Sequence, residues 1–234
     1  MKRLTIQDAE LSAQQFRTKN LEIGFSEPIN IKSALRKLSI FTMYRPLSEK
    51  ACGISVKAPN GKMFILINSN STRGRQHFTI AHEFYHLFYD KDPKPHICCA
   101  EENNGVEKDA NLFASVLLLP REGLLKTIPS NELKACSVSL ATILRIEQYF
   151  QVSRQTLLYR LRGMDIIGQK QLESFNDINV KESAQEYGYD LALYQKGNEG
   201  LVIGDFGEKA RLLFEQGKIS EGHYIELLNM LSDE

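Results

Sequence analysis

The chain has 234 residues, 29 Lys+Arg against 29 Asp+Glu and a hydrophobic share of 42%, the profile of a globular protein with room for roughly one and a half domains. A formal net charge of zero excludes the whole-molecule electrostatics of a non-specific nucleic-acid or anionic-membrane binder and leaves only a local basic stripe open. No apolar run is long enough to span a membrane, and Asp8 and Glu10 interrupt the place where an export signal needs its apolar stretch. Cys52, Cys98, Cys99 and Cys136 then read as reduced thiols in a cytoplasmic protein.

Residues 6–20 and 31–38 carry apolar positions at helical spacing and are expected as two covering helices. From Ser39 the composition turns β-branched and aromatic. Residues 40–44, 52–56 and 63–68 predict a small, mainly antiparallel sheet, with Pro59-Asn60-Gly61 as the turn between the last two strands. A helix is expected over 74–89, broken by Asp92-Pro93-Lys94-Pro95, and another over 105–119, stopped by Pro120. Sheet and helices alternate too little for a doubly wound fold. The rest reads as mostly helical, over 140–150, 153–162, 206–215 and 219–231. The expected fold class is therefore α+β, organised as 1–125, a helix-turn-helix-like segment 126–167 and a helical C-terminal extension 168–234.

Within the 74–89 helix, His82-Glu83-Phe84-Tyr85-His86 is an H-E-x-x-H sequence. Residues four apart return to within about 40° of one another, one turn higher, so both imidazoles leave one face at a distance that a single ion can bridge. Ile80, Phe84, Leu87 and Phe88 supply the apolar stripe that buries the other side. Glu83 points about 100° away from His82, too far to join the coordination sphere easily and close enough to serve a water as general base. Zn2+ suits two neutral imidazoles, and a catalytic zinc takes a third protein ligand while keeping one position for water. The downstream candidates for that ligand are His96, Cys98, Cys99, Glu101, Glu102, Glu107 and Asp109. Glu107 and Asp109 lie about 200° apart on their helix, so only one can face the ion. Glu107 also fits a capping box with Asn104, and spacing alone leaves ligand and cap equally open.

Phe78-Thr79-Ile80-Ala81 before the H-E-x-x-H, and the later block running from Glu107-Lys108-Asp109-Ala110-Asn111 to Leu119-Pro120, together resemble the ImmA/IrrE family of bacterial zinc metallopeptidases. The resemblance covers about residues 10–165 and implies a minimal gluzincin-like fold. It implies His82, His86 and Glu107 as zinc ligands, Glu83 as base and Asn111 as a support one turn past the third ligand. Many members carry Gly at the position of Tyr85, where a phenol is expected to pack at the cleft edge. The implied activity is zinc-dependent endopeptidase cleavage of a helix-turn-helix transcriptional repressor encoded nearby.

Tyr89 falls almost above His82 and His86 and is a candidate donor to a developing oxyanion, set against the structural role usual for an aromatic at a helix end. His77 lies off the metal face and reads as packed. Cys98 and Cys99 read as small buried hydrophobes. Residues 140–162 have a helix-turn-helix rhythm, with Ser153 as an N-cap and Arg145, Arg154, Arg160, Arg162 and Lys170 nearby. Phosphate contact there is open, and packing against the peptidase is preferred. The rival to the enzyme is a non-catalytic, zinc-containing DNA-binding or toxin-antitoxin-type partner working through residues 140–165.

Overall fold

The computed structural model describes residues 3–90, 96–99 and 105–229. Helix α1 (Ile6–Gln15) starts in a capping box, in which the Thr5 hydroxyl accepts from the Asp8 amide and the Asp8 carboxylate accepts from the Thr5 amide. It continues into a π-helical turn, Phe16–Leu21, that ends on Glu22 in the left-handed region. Arg17 in this turn is buried and donates to the carbonyls of Gly24, Leu117 and Glu27. One guanidinium thus ties the N-terminal cover to the core, its fork of donors matching backbone carbonyls that burial would otherwise strand. Helix α2 (Ile31–Lys37) is capped by Asn30, whose side chain accepts from the Ser33 amide.

Strands β1 (Ile40–Arg45), β2 (Ala51–Lys57), β3 (Met63–Asn68), β4 (His96–Cys99) and β5 (Val202–Ile203) form one sheet in the order β4-β2-β3-β1-β5. The β2–β3 pairing is antiparallel, as expected; β4 and β5, which the sequence did not suggest, join β2 and β1 antiparallel, whereas β1 and β3 run parallel. Gly61, at φ +81°, makes the β2–β3 turn. The parallel pair exists because the chain leaving β1 crosses the end of β3 before β2 begins. Asn68, buried at the end of β3, holds that crossing: its side chain donates to Ser48 and Ala51 carbonyls and accepts from the Leu47 and Asn70 amides.

Helix α3 (Arg73–Phe88) packs Ile80, Phe84 and Leu87 onto the sheet beside Ile65 and Ile67. Gly53 permits this approach, since a Cβ there would sit 2.8 Å from Thr79 Cγ2. Helix α4 (Gly105–Leu118) lies against α3, with the Phe16 ring meeting Phe84, Phe88 and Phe113 between them. Short helices α5 (Arg121–Thr127) and α6 (Ser130–Ala135) lead to α7 (Leu140–Phe150) and α8 (Arg154–Gly163), capped by Ser139 and Ser153. The α7–α8 turn seats on the start of α3, where a Cβ on Gly74 would lie 2.9 Å from the Ser153 nitrogen.

Helices α9 (Gln169–Asn176) and α10 (Val180–Glu186) follow, then a 3-10 turn (Ala192–Tyr194), β5, α11 (Phe206–Glu215) and α12 (Glu221–Asn229). The tail closes the β1 edge of the sheet through β5. It also grips the start of α3, where Arg73 donates to the Ala192 carbonyl and Gln76 bonds Gly197 and Asn198. One contiguous apolar core runs from Ala9 to Ile203. Among the described residues no helix is long and apolar enough to cross a membrane.

Candidate metal centre

Helix α3 turns its apolar stripe to the sheet, so the H-E-x-x-H face meets α4. His82 and His86 are buried, and their Nε2 atoms lie 3.1 Å apart. The Glu107 carboxylate reaches across from α4, 3.1 Å from His82 Nε2 and 3.4 Å from His86 Nε2. His82 Nδ1 is 2.9 Å from Asn111 Oδ1, and His86 Nδ1 faces Asp90 Oδ2 at 3.5 Å. Each Nδ1–H is thereby directed at an oxygen, which leaves the lone pairs on the two Nε2 atoms. Two imidazole lone pairs and a carboxylate then converge on one point. Tetrahedral donors at the roughly 2.0–2.1 Å bond lengths of zinc stand about 3.3 Å apart, and the three separations here fit that spacing.

Position separates the two candidate acids. Asp109 turns to the N-terminus, where its Oδ1 accepts from the Leu4 amide at 3.1 Å, while Glu107 meets both imidazoles. Asn104, Glu101 and Glu102, and the side chains of His96 and Cys99, lie outside the described residues. Cys98 is present at the site: its sulfur and the donor atoms of His82 and Glu107 all fall within 4.8 Å of one another. Reading Cys98 as a plain buried hydrophobe therefore understates its placement.

Glu83 is 0% exposed, and its Oε2 accepts a short hydrogen bond from the Ser55 hydroxyl on β2. Ser55 escaped the sequence reading. Its only signal is a small hydroxyl among the inward-facing positions of β2, which is an ordinary occurrence. Asp90 was more legible, standing four residues past His86 on the same helical face.

Tyr89 requires a correction. Its hydroxyl donates to the Ser12 carbonyl at 3.0 Å, and its ring packs against Phe16, Tyr85 and Phe113. The residue stands at the last turn of α3, where the helix axis has carried it past the imidazoles and under α1. An oxyanion role does not fit that placement. Tyr85 stacks on Tyr89 and presents its ring edge-on to His86, and burial raises the pKa of both phenols. His77 packs at the α7–α8 junction, with Nδ1 2.9 Å from the Gln151 carbonyl and its pKa lowered chiefly by burial.

A cleft of about 1300 Å³ is lined by His82, Glu107, Asn111 and Cys98, by Tyr159 of α8, by Lys181 of α10 and by Lys196 of the tail. Two of the basic residues that gave α7–α8 its nucleic-acid look are consumed by the fold. Arg154, 3% exposed, donates to Glu147 at 2.7 Å and to Ser183 at 3.1 Å. Arg160, 4% exposed, donates to the Leu119 carbonyl and to Glu10.

A family model described as the IrrE N-terminal-like domain of the peptidase M78 family matches residues 35–162. No curated protein matches the chain in a sequence search.

Proposed function

The chain belongs to the peptidase M78 family, the IrrE N-terminal-like domain, and on that premise of a metallopeptidase-type protein we propose that it is a zinc-dependent endopeptidase acting in the cytoplasm on a protein substrate. The observation that carries this reading is the convergence of His82 Nε2, His86 Nε2 and the Glu107 carboxylate within 3.4 Å, with Glu83 buried next to His82. Zinc held by these three side chains supplies a Lewis acid and lowers the pKa of a bound water to about 7.

The remaining work falls to the chain. Glu83 takes a proton from the attacking water and returns it to the leaving amide nitrogen, the two roles of one carboxylate on either side of the tetrahedral step. Ser55 fixes the Glu83 carboxylate, and Asn111 fixes the ring of His82. The cleft exceeds the roughly 300–1,000 Å³ usual for small-molecule sites, which favours a polypeptide segment as substrate. By the family resemblance, that polypeptide is a helix-turn-helix transcriptional repressor encoded nearby.

The non-catalytic DNA-binding alternative works through residues 140–165, and burial of Arg154 and Arg160 within them counts against it. Glu83→Gln separates the two readings. Under the peptidase reading the variant keeps its metal while cleavage of the neighbouring-gene repressor falls by about 10²–10⁴, followed by gel electrophoresis and mass spectrometry of the fragments. Undiminished cleavage removes the mechanism.

A further inference from the structure

Cys98 belongs to strand β4, which pairs with β2 through a bulge: Ala51 faces Cys99 and Gly53 faces Cys98, so Cys52 is the extra residue between them. The bulge re-aims its side chain, and Cys52 stands beside Cys98 across the β2–β4 pairing. Both are buried, at 6% and 8% exposure, and both line the same cleft as His82 and Glu107. Arg75 Nη2 lies 3.3 Å from Cys52 Sγ. Cys98 therefore stands between two partners, a metal-ligand cluster on one side and a cation-flanked thiol on the other.

Building on the metallopeptidase reading, we propose that Cys98 is a fourth, displaceable ligand of the metal and that Cys52 withdraws it, so that the reduced chain holds a closed centre of two imidazoles, a carboxylate and a thiolate, and a Cys52–Cys98 disulfide opens it. Four N, S and O donors in a closed tetrahedron are the mark of a non-catalytic zinc site, whereas a catalytic one keeps a position for water. Removal of one sulfur converts the first into the second. A thiol next to a divalent ion loses its proton to become a ligand.

The chemistry of withdrawal is available to a peroxide. The Cys52 thiolate attacks hydrogen peroxide, breaking the O–O bond to give a sulfenic acid and hydroxide. The Cys98 sulfur then attacks the Cys52 sulfur, expelling the second hydroxide. The two hydroxides take up the two protons that the thiols had released to solvent as they became thiolates, so that overall two thiols and one peroxide become one disulfide and two waters. Arg75 suits Cys52 to the first step, since a guanidinium favours the thiolate.

Cobalt(II) in place of zinc reads the proposal directly, because a thiolate ligand gives a strong near-ultraviolet charge-transfer band. The reduced full-length protein loaded with cobalt is expected to show that band, and so is Cys52→Ala. Cys98→Ser and Cys98→Ala are expected to bind cobalt without it, with Cys52, Cys99 and Cys136 still in place. Wild-type protein treated with hydrogen peroxide, freed of oxidant and then loaded is expected to lose the band together with a pair of free thiols, and to regain both with dithiothreitol. Cys52→Ala given the same peroxide dose keeps its band. Circular dichroism of each variant confirms the fold. A reduced wild type that binds cobalt without the band, a band that survives in Cys98→Ser, or a peroxide response indifferent to Cys52 overturns the proposal while leaving the peptidase reading standing. Failure to bind cobalt at all overturns both.

Discussion

Two of the places where this molecule buries charged side chains do so in opposite ways. Between α7 and α8, Glu147 is 0% exposed, and each carboxylate oxygen is met by a donor: Oε1 by Arg154 and Oε2 by the Tyr194 hydroxyl at 2.8 Å. Burial raises the Glu147 pKa while Arg154 and Tyr194 oppose the shift. Between α3 and α4, acceptors face acceptors: two imidazole lone pairs and a carboxylate gather within 3.4 Å of one another. The first arrangement gives both carboxylate oxygens a protein donor and holds the fold together. The second gathers electron pairs at one point, the arrangement that the proposed metal requires.

The sharpest way to break the contrast is to spoil the Glu147 network. Arg154→Ala leaves Glu147 buried without its cation, and the expected loss is about 3–5 kcal/mol of folding stability in urea unfolding followed by circular dichroism, with the metal content of the folded protein unchanged. A loss of metal at unchanged stability would mean that the two regions are not separate. Asn111→Ala acts on the other side of the comparison. It removes the oxygen that orients His82, and zinc affinity should fall by about 10–100-fold in competition with a chromophoric chelator, with little change in stability. Equal affinity would show that the imidazole needs no such anchor. The smallest effect is expected of Tyr89→Phe, which removes one hydrogen bond, to the Ser12 carbonyl. Its cost is about 0.5–1.5 kcal/mol, with the cleavage rate unchanged. A collapse of the turnover rate at intact stability would return the oxyanion role to Tyr89.

The helices that carry the site were legible because their apolar periodicity is long and regular. The 16-residue α3 and the 11-residue α7 lie within a residue of their expected positions. The ligand face of α3 was equally legible, since i and i+4 projection is a property of any helix. Strand neighbours were not. Local alternation says that β1 and β3 are strands, but their parallel pairing depends on a crossing loop pinned by Asn68, a contact between residues about twenty positions apart. Nearness of Cys98 to His82 and Glu107 is of the same kind, set by where β4 joins the sheet. Packing was the preferred reading for Arg154 and Arg160, but their partners were hidden for a related reason: charge is visible in a sequence, and the carboxylate or carbonyl that absorbs it 7 or 41 residues away is not.

The account rests on a metal bound between α3 and α4, and metal content tests it most directly. Wild-type protein purified from zinc-supplemented medium and analysed by inductively coupled plasma mass spectrometry should carry one equivalent of zinc per chain, and His82→Ala should carry essentially none while keeping its helical circular dichroism spectrum. A folded wild type that takes up no zinc, or a His82→Ala variant as fully loaded as the wild type, would contradict it.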